Sequence, residues 1–108
     1  MKDGVFKASL TTTGRKTSKE HTVTLRAVVH EGRVYFSRRN LNSDWLKNAI
    51  ANPKVKVSFN DKTYTGIASL VTDQTLAKKI SELKYPGEER AKDARIVLRV
   101  ELRVSHTM

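Results

Sequence analysis

Apolar and polar residues alternate with a period of two along most of this chain, and a period near 3.6 intrudes twice. The first alternating stretch, Phe6 to Thr13, predicts a strand that ends where Gly14 opens a polar loop. His21 to His30 predicts a second, half-buried strand, with Val23, Leu25, Ala27 and Val29 on one face and Thr22, Thr24, Arg26 and His30 on the other. Glu31-Gly32 reads as a tight turn, and Arg33 to Ser37 as the returning hairpin strand. A short helix follows. Asn42 or Ser43 can cap it, Asp44 sits in its first turn, and Trp45/Ala49 with Leu46/Ile50 form an apolar stripe at four-residue spacing. Asn52-Pro53 ends it. Lys54 to Phe59 alternates again, burying Val55, Val57 and Phe59. Asn60-Asp61-Lys62 predicts a turn, and Thr63 to Val71 the return strand, where Gly66 marks a bulge or a close approach. Asp73 caps a second helix carrying Leu76, Ile80 and Leu83, stopped by Pro86-Gly87. Finally Ile96, Leu98, Val100, Leu102 and Val104 alternate with Arg99, Glu101 and Arg103.

The element order is therefore β-β-β-α-β-β-α-β. This predicts a mostly-β fold, a small antiparallel barrel or curled sheet with two short helices, forming one domain over residues 1–108. At 108 residues, with 30% charged and 38% hydrophobic, a single copy buries only a modest core. Leu41, Val71 and Val97 lack obvious cover within the chain, so pairing into a homodimer is expected.

Composition narrows the chemistry. The chain has no cysteine, which removes disulfides, iron–sulfur clusters and thiolate zinc sites. His21, His30 and His106 are far apart and make no HxxxH or HxH pair, so no metal site is expected. No stretch approaches the roughly 20 apolar residues of a membrane span, and Met1-Lys2-Asp3-Gly4 does not begin a signal peptide; a cytoplasmic location is the default expectation. No Ser/His/Asp order, P-loop or carboxylate pair stands out.

The charge is uneven. Of the net +10, residues 1–60 carry +8. Such a half attracts polyanions, either nucleic acid or the phosphate of a nucleotide-like cofactor. The cations crowd into two hydroxyl-bearing loops, Arg15-Lys16-Thr17-Ser18-Lys19 and Ser37-Arg38-Arg39-Asn40. Arginine forks and lysine point charges suit phosphate, and serine or threonine hydroxyls can complete a cradle.

Two segments carry a family likeness. Leu10-Thr11-Thr12-Thr13-Gly14-Arg15-Lys16-Thr17, followed by Trp45, Asn48 and Ala51-Asn52-Pro53-Lys54-Val55, resembles the deazaflavin (coenzyme F420)-dependent nitroreductase-like proteins. These belong with the pyridoxamine 5′-phosphate oxidase-like, FMN-binding split barrels. The likeness spans roughly residues 8–60, about half the chain. The chain departs from the family pattern at Ser18, Glu20, His21 and Thr24, where a Gly-x-Pro-Arg continuation and a further proline are common.

The resemblance implies a split β-barrel, an F420 or FMN cofactor, hydride transfer to a small organic substrate, and a dimer. It also implies that the two basic loops hold the cofactor through Arg15, Lys16, Thr17, Ser18, Ser37, Arg38, Arg39 and Asn40. His21 stands where an arginine is expected and can donate to a phosphate or ring oxygen. Trp45 has the spacing of a core residue, and also a ring able to flank a planar cofactor. Tyr64 and Tyr85 are candidate proton donors, Tyr85 with a competing structural role at its helix end. Two alternatives stay open: a basic β-barrel that binds nucleic acid, and a cofactor-free split barrel with a binding role. Against the first, aromatic residues are 6% of the chain, and the adjacent Tyr35 and Phe36 point to opposite strand faces.

Overall fold

The computed structural model describes residues 3–38, 42–89 and 95–103. Six strands and two helices run in the order β1 (Gly4–Thr13), β2 (Glu20–His30), β3 (Arg33–Arg38), α1 (Asp44–Ala51), β4 (Lys54–Phe59), β5 (Lys62–Leu70), α2 (Gln74–Lys84) and β6 (Ile96–Arg103). The strands close into an antiparallel barrel, β1-β2-β3-β6-β5-β4. Closure removes the free sheet edges.

The two tight hairpins form where the turn residues allow them. Glu31 (φ 51°) and Gly32 (φ 78°) join β2 to β3, and Asn60 (φ 52°) and Asp61 (φ 61°) join β4 to β5. Positive φ at both central residues gives the turn twist that matches a right-handed ribbon. The remaining seams are long-range. β6 lies between β3, with Val34 opposite Val100, and β5, with Ala68 opposite Val100. β4 closes onto β1 with Leu10 opposite Val57.

Inward residues fill the barrel: Ala8, Leu10, Ala27, Val29, Val34, Phe36, Val55, Val57, Ala68, Leu98 and Val100 are buried, with Trp45, Leu46 and Ala49 of α1 packed on them. Gly66 is a close approach rather than a bulge. A Cβ there would stand 2.6 Å from Val100 Cγ1 and 2.9 Å from the Glu101 carbonyl oxygen. Phe59 is only half-buried, stacked between Phe6 and Tyr64 at centroid distances of 5.1 and 5.2 Å.

Three expectations need correction. The α1 stripe does not include Ile50, which is 44% exposed. Its place on the buried side is taken by the polar Asn48. Second, Val71 and Val97 do have cover within the chain. α2 lies on the outer wall of the barrel, and Val28, Tyr35, Ala77, Ile80 and Val97 form a second buried cluster with Val71, Leu76 and Leu83 against it. β2, β3 and β6 are thus buried on both faces where α2 crosses them, which an alternating pattern does not record. Third, α1 is preceded by Ser43 as its N-cap residue, but the Ser43 side chain makes no capping bond. It accepts instead from Arg38 Nε at 2.6 Å. Asp73 caps α2 as expected, accepting from the Thr75 and Leu76 amides. Leu41 and Val104, also expected to be apolar contacts, lie outside the described residues.

Candidate functional site

The β1–β2 connection and α1 face each other across a cleft of about 700 Å³ at one end of the barrel. Its lining residues come from the loop and first turn of β2 (Gly14, Arg15, Lys16, Thr17, Glu20, His21, Thr22, Val23) and from α1 (Asp44, Trp45, Asn48). This size falls within the range of small-ligand sites, about 300–1,000 Å³.

The loop is tightly folded. The Gly14 amide donates to the Lys19 carbonyl at 2.7 Å, and the Ser18 amide to the Gly14 carbonyl at 2.9 Å. The Lys19 amide reaches Thr17 Oγ1 at 3.3 Å. Gly14 has no room for a side chain, because a Cβ would stand 2.7 Å from Thr17 Oγ1 and 3.0 Å from His21 Nε2. Ser18 holds φ at 60°, in the left-handed region. That conformation costs an L-residue with a Cβ about 1–2 kcal/mol and costs glycine nothing. Ser18→Gly is therefore expected to raise the melting temperature by a few degrees, after the entropy glycine adds to the unfolded chain, as thermal denaturation will show.

Arg15 is held from two sides. Its backbone amide and its Nη1 both donate to Asn48 Oδ1, at 3.2 and 2.7 Å. Nη2 lies 3.5 Å from Asp44 Oδ1. Asn48 is buried (4% exposed), so its carbonyl needs these donors, and Arg15 in turn is fixed at the cleft with its side chain 28% exposed. The Asn52 side-chain amide donates to the Thr13 carbonyl at 3.3 Å, which ties the end of α1 to the end of β1. Trp45, 8% exposed, packs edge-on against Phe36 with centroids 6.3 Å apart while still lining the cleft. Both sequence readings of Trp45, core and wall, therefore describe one residue.

The fold brings together Arg15, Lys16, Thr17, His21 and Trp45. Ser18 belongs to the same loop but is not a lining residue. Arg38 is exposed and bonded to Ser43, one residue before α1, at the edge of the cleft. Ser37 is buried and faces α2, where it accepts from Lys84 Nζ at 3.1 Å. Arg39 and Asn40 lie outside the described residues. Tyr64 stacks on Phe59 and is not among the residues lining the cleft. Sequence reasoning missed Asn48, Asp44 and Lys84. A buried-side asparagine within an apolar helix stripe was the available signal for the first.

Among the described residues, no cluster of three or more histidines, cysteines, aspartates or glutamates could hold a metal. No described helix is long and apolar enough to cross a membrane.

A closed antiparallel barrel with a cationic, hydroxyl-lined cleft between its first hairpin and an inserted helix has the architecture of a small split barrel. Within that class, the chain belongs to the F420H2-dependent quinone reductase family, whose model matches residues 3–102. This extends the likeness from half the chain to nearly all of it. The family depends on F420H2, which sets F420 ahead of FMN, and consists of deazaflavin-dependent oxidoreductases. No curated protein matches the sequence. Among solved structures, the chain is similar to an F420H2-dependent reductase (24% identity, TM-score 0.70, covering 88% of this chain and 93% of that one). It is also similar to a putative pyridoxamine 5′-phosphate oxidase from Listeria innocua (17% identity, TM-score 0.72, covering 91% and 84%). A third, described as a domain-swapped dimer, has 24% identity and a TM-score of 0.71, covering 88% and 79%. At these identities the likeness to solved structures is one of fold.

Proposed function

We propose that this protein binds F420 in the cleft and uses its reduced form to reduce a small organic acceptor of the quinone class. The observation that carries this reading is the fixing of Arg15 at the cleft by the buried Asn48. A guanidinium held rigidly beside Lys16, Thr17 and His21, on a loop where Gly14 has no space for a Cβ, fits a phosphate-bearing deazaflavin. The donor set is cationic and hydroxylic, as a phosphate needs.

When bound, a deazaflavin supplies the hydride chemistry. The chain's own work is binding and orientation. Arg15, Lys16 and Thr17 hold the phosphate; His21 supplies a further donor; Trp45 packs beside the ring system. Ser37 and Arg38 border the same end of β3. Glu20, exposed at the entrance, is drawn away from the phosphate by its 2.9 Å ion pair with Lys56. We also propose that the protein is a homodimer, supported by the dimeric relative of the same fold rather than by uncovered apolar residues.

Titrating the purified protein with F420 and with FMN, followed by absorbance and fluorescence, tests the reading. F420 is expected to bind and FMN to bind more weakly. If neither binds, the cofactor-free alternative replaces it. The nucleic-acid alternative predicts binding to a DNA oligomer that weakens steeply with salt and is not displaced by F420.

A further inference from the structure

His21 holds a place in the cleft unlike that of the loop cations. It stands directly opposite Thr12 in the β1–β2 ladder, so the two side chains share a strand face. That face is the inward one, because Thr12 is buried and follows the buried Leu10 by two residues. Gly14, just past the end of β1, makes room for the imidazole. A Cβ there would stand 3.0 Å from Nε2 and 3.2 Å from Cδ2 of His21. Val23, two residues on along β2 and also lining the cleft, packs on the barrel core. The ring therefore lies at the junction of two regions, with the cationic loop of residues 15–17 on one side and the apolar Val23 on the other.

Most other cleft residues able to carry a proton or a charge are already engaged. Arg15 is tied to Asn48 and Asp44, Glu20 to Lys56, and the Thr17 hydroxyl accepts from the Lys19 amide. Lys16 belongs to the loop assigned to the phosphate. His21 makes no hydrogen bond or ion pair with any described residue. The Thr12 hydroxyl opposite it is likewise buried without a partner among the described residues. His21 is also exposed, so water reaches it to replace a spent proton. It stands where the family pattern has an arginine. An arginine donates hydrogen bonds but keeps its proton, whereas an imidazole can donate and release.

We propose that His21 is the proton donor to the acceptor in the reduction assigned above, an inference that rests on that reading. The donor it supplies is thus directed at the acceptor rather than at the phosphate. A quinone is a planar, largely apolar ring with carbonyl oxygens, and this junction offers it an apolar wall and a proton together. Addition of a hydride equivalent to such a carbonyl oxidises the cofactor by two electrons and leaves one oxygen as an anion. The N–H bond of protonated His21 breaks, the O–H bond forms, and the neutral imidazole recovers its proton from water. Before transfer, the same N–H stabilises the developing negative charge on oxygen.

Three measurements on wild type, His21→Gln and His21→Arg test this. The first is proton NMR of the His21 ring, assigned by its absence from His21→Gln, in protein loaded with oxidised F420. Menadione is expected to shift that signal. The second is F420 affinity, and the third is menadione reduction by the F420H2-loaded protein. His21→Gln keeps a hydrogen-bond donor but has no proton to release, and is expected to lose roughly a hundredfold in kcat. His21→Arg keeps the donor and the charge without releasing a proton, and is expected to be similarly slow. F420 affinity and melting temperature are expected to stay close to wild type in both variants. An unchanged kcat, or a His21 signal that menadione does not move, overturns the assignment of His21 alone. So does a weakened F420 affinity with kcat retained, which would make His21 a phosphate ligand. Wild type that binds F420 but leaves menadione unreduced overturns it too. Failure of wild type to bind F420 overturns the cofactor reading with it.

Discussion

Val100→Asp is expected to abolish soluble expression. Val100 is fully buried in the barrel, paired with Val34 on one side and Ala68 on the other. Its Cγ1 packs so closely on Gly66 that a Cβ there would stand only 2.6 Å away. Its paired neighbours Val34 and Ala68 offer neither a positive charge nor a hydrogen-bond donor side chain. A carboxylate at that point either stays ionised without a partner or is forced to take up a proton. Both outcomes cost several kcal/mol, against a total stability of about 5–15 kcal/mol for a domain of this kind. Val100→Ala removes two methyl groups without burying charge and is expected to give a folded protein with a lower melting temperature. The pair separates charge burial from loss of packing. A Val100→Asp protein that melts like wild type would mean that β6 does not present this residue to the core.

Arg15→Ala is expected to weaken F420 binding by roughly ten- to a hundredfold. A charge-assisted contact contributes about 1.5–3 kcal/mol, and 1.4 kcal/mol is a factor of ten. Lys16→Ala is expected to act similarly. Arg38→Ala is expected to cost less than about tenfold by the same conversion, because Arg38 already donates to Ser43 at the edge of the cleft. Arg15→Lys keeps the charge but loses the fork that reaches both Asn48 and a ligand, so a substantial part of the loss should remain. Asn48→Leu removes the acceptor that holds Arg15 and is expected to weaken binding with the arginine still present. Isothermal titration of each variant checks these values, and melting of the ligand-free proteins supplies the control. Lys16 is an exposed loop charge and adds little to stability, so Lys16→Ala should melt close to wild type, whereas Arg15→Ala also removes a donor to the buried Asn48 and should melt somewhat lower. Unchanged F420 affinity in both would remove this loop from the site.

The strands and their inward faces were legible in the sequence, because a period-two pattern records directly which side chains avoid water. Val23, Leu25, Ala27 and Val29 of β2, and Ile96, Leu98, Val100 and Leu102 of β6, all face or pack on the barrel core as the pattern requires. The turns were legible for a local reason too. Glu31-Gly32 and Asn60-Asp61 accept positive φ, and Asp73 and Pro86 bracket α2 by capping and ring chemistry. The basic loop at Arg15–Thr17 showed as charge and as family likeness. Neither could say which of its side chains is held in place.

What the sequence determined by itself, then, is the order of elements, the phase of each strand and the loop that carries the cations; these depend on neighbours one to four residues apart. Only the tertiary structure decided that β2, β3 and β6 are buried on their outer faces as well. That burial depends on α2, more than 35 residues beyond β3, folding back onto the wall that holds Val28, Tyr35 and Val97. It also decided that Ile50 is exposed and Asn48 buried. A helix stripe gives the direction of the core, but not where a polar residue finds an acceptor's counterpart such as Arg15, 33 positions away. The same long-range folding drew Ser37 out of the basic loop in which the sequence placed it and set it under Lys84, 47 positions on. Hydrogen bonds and burial at that separation follow from barrel closure, and no local pattern encodes them.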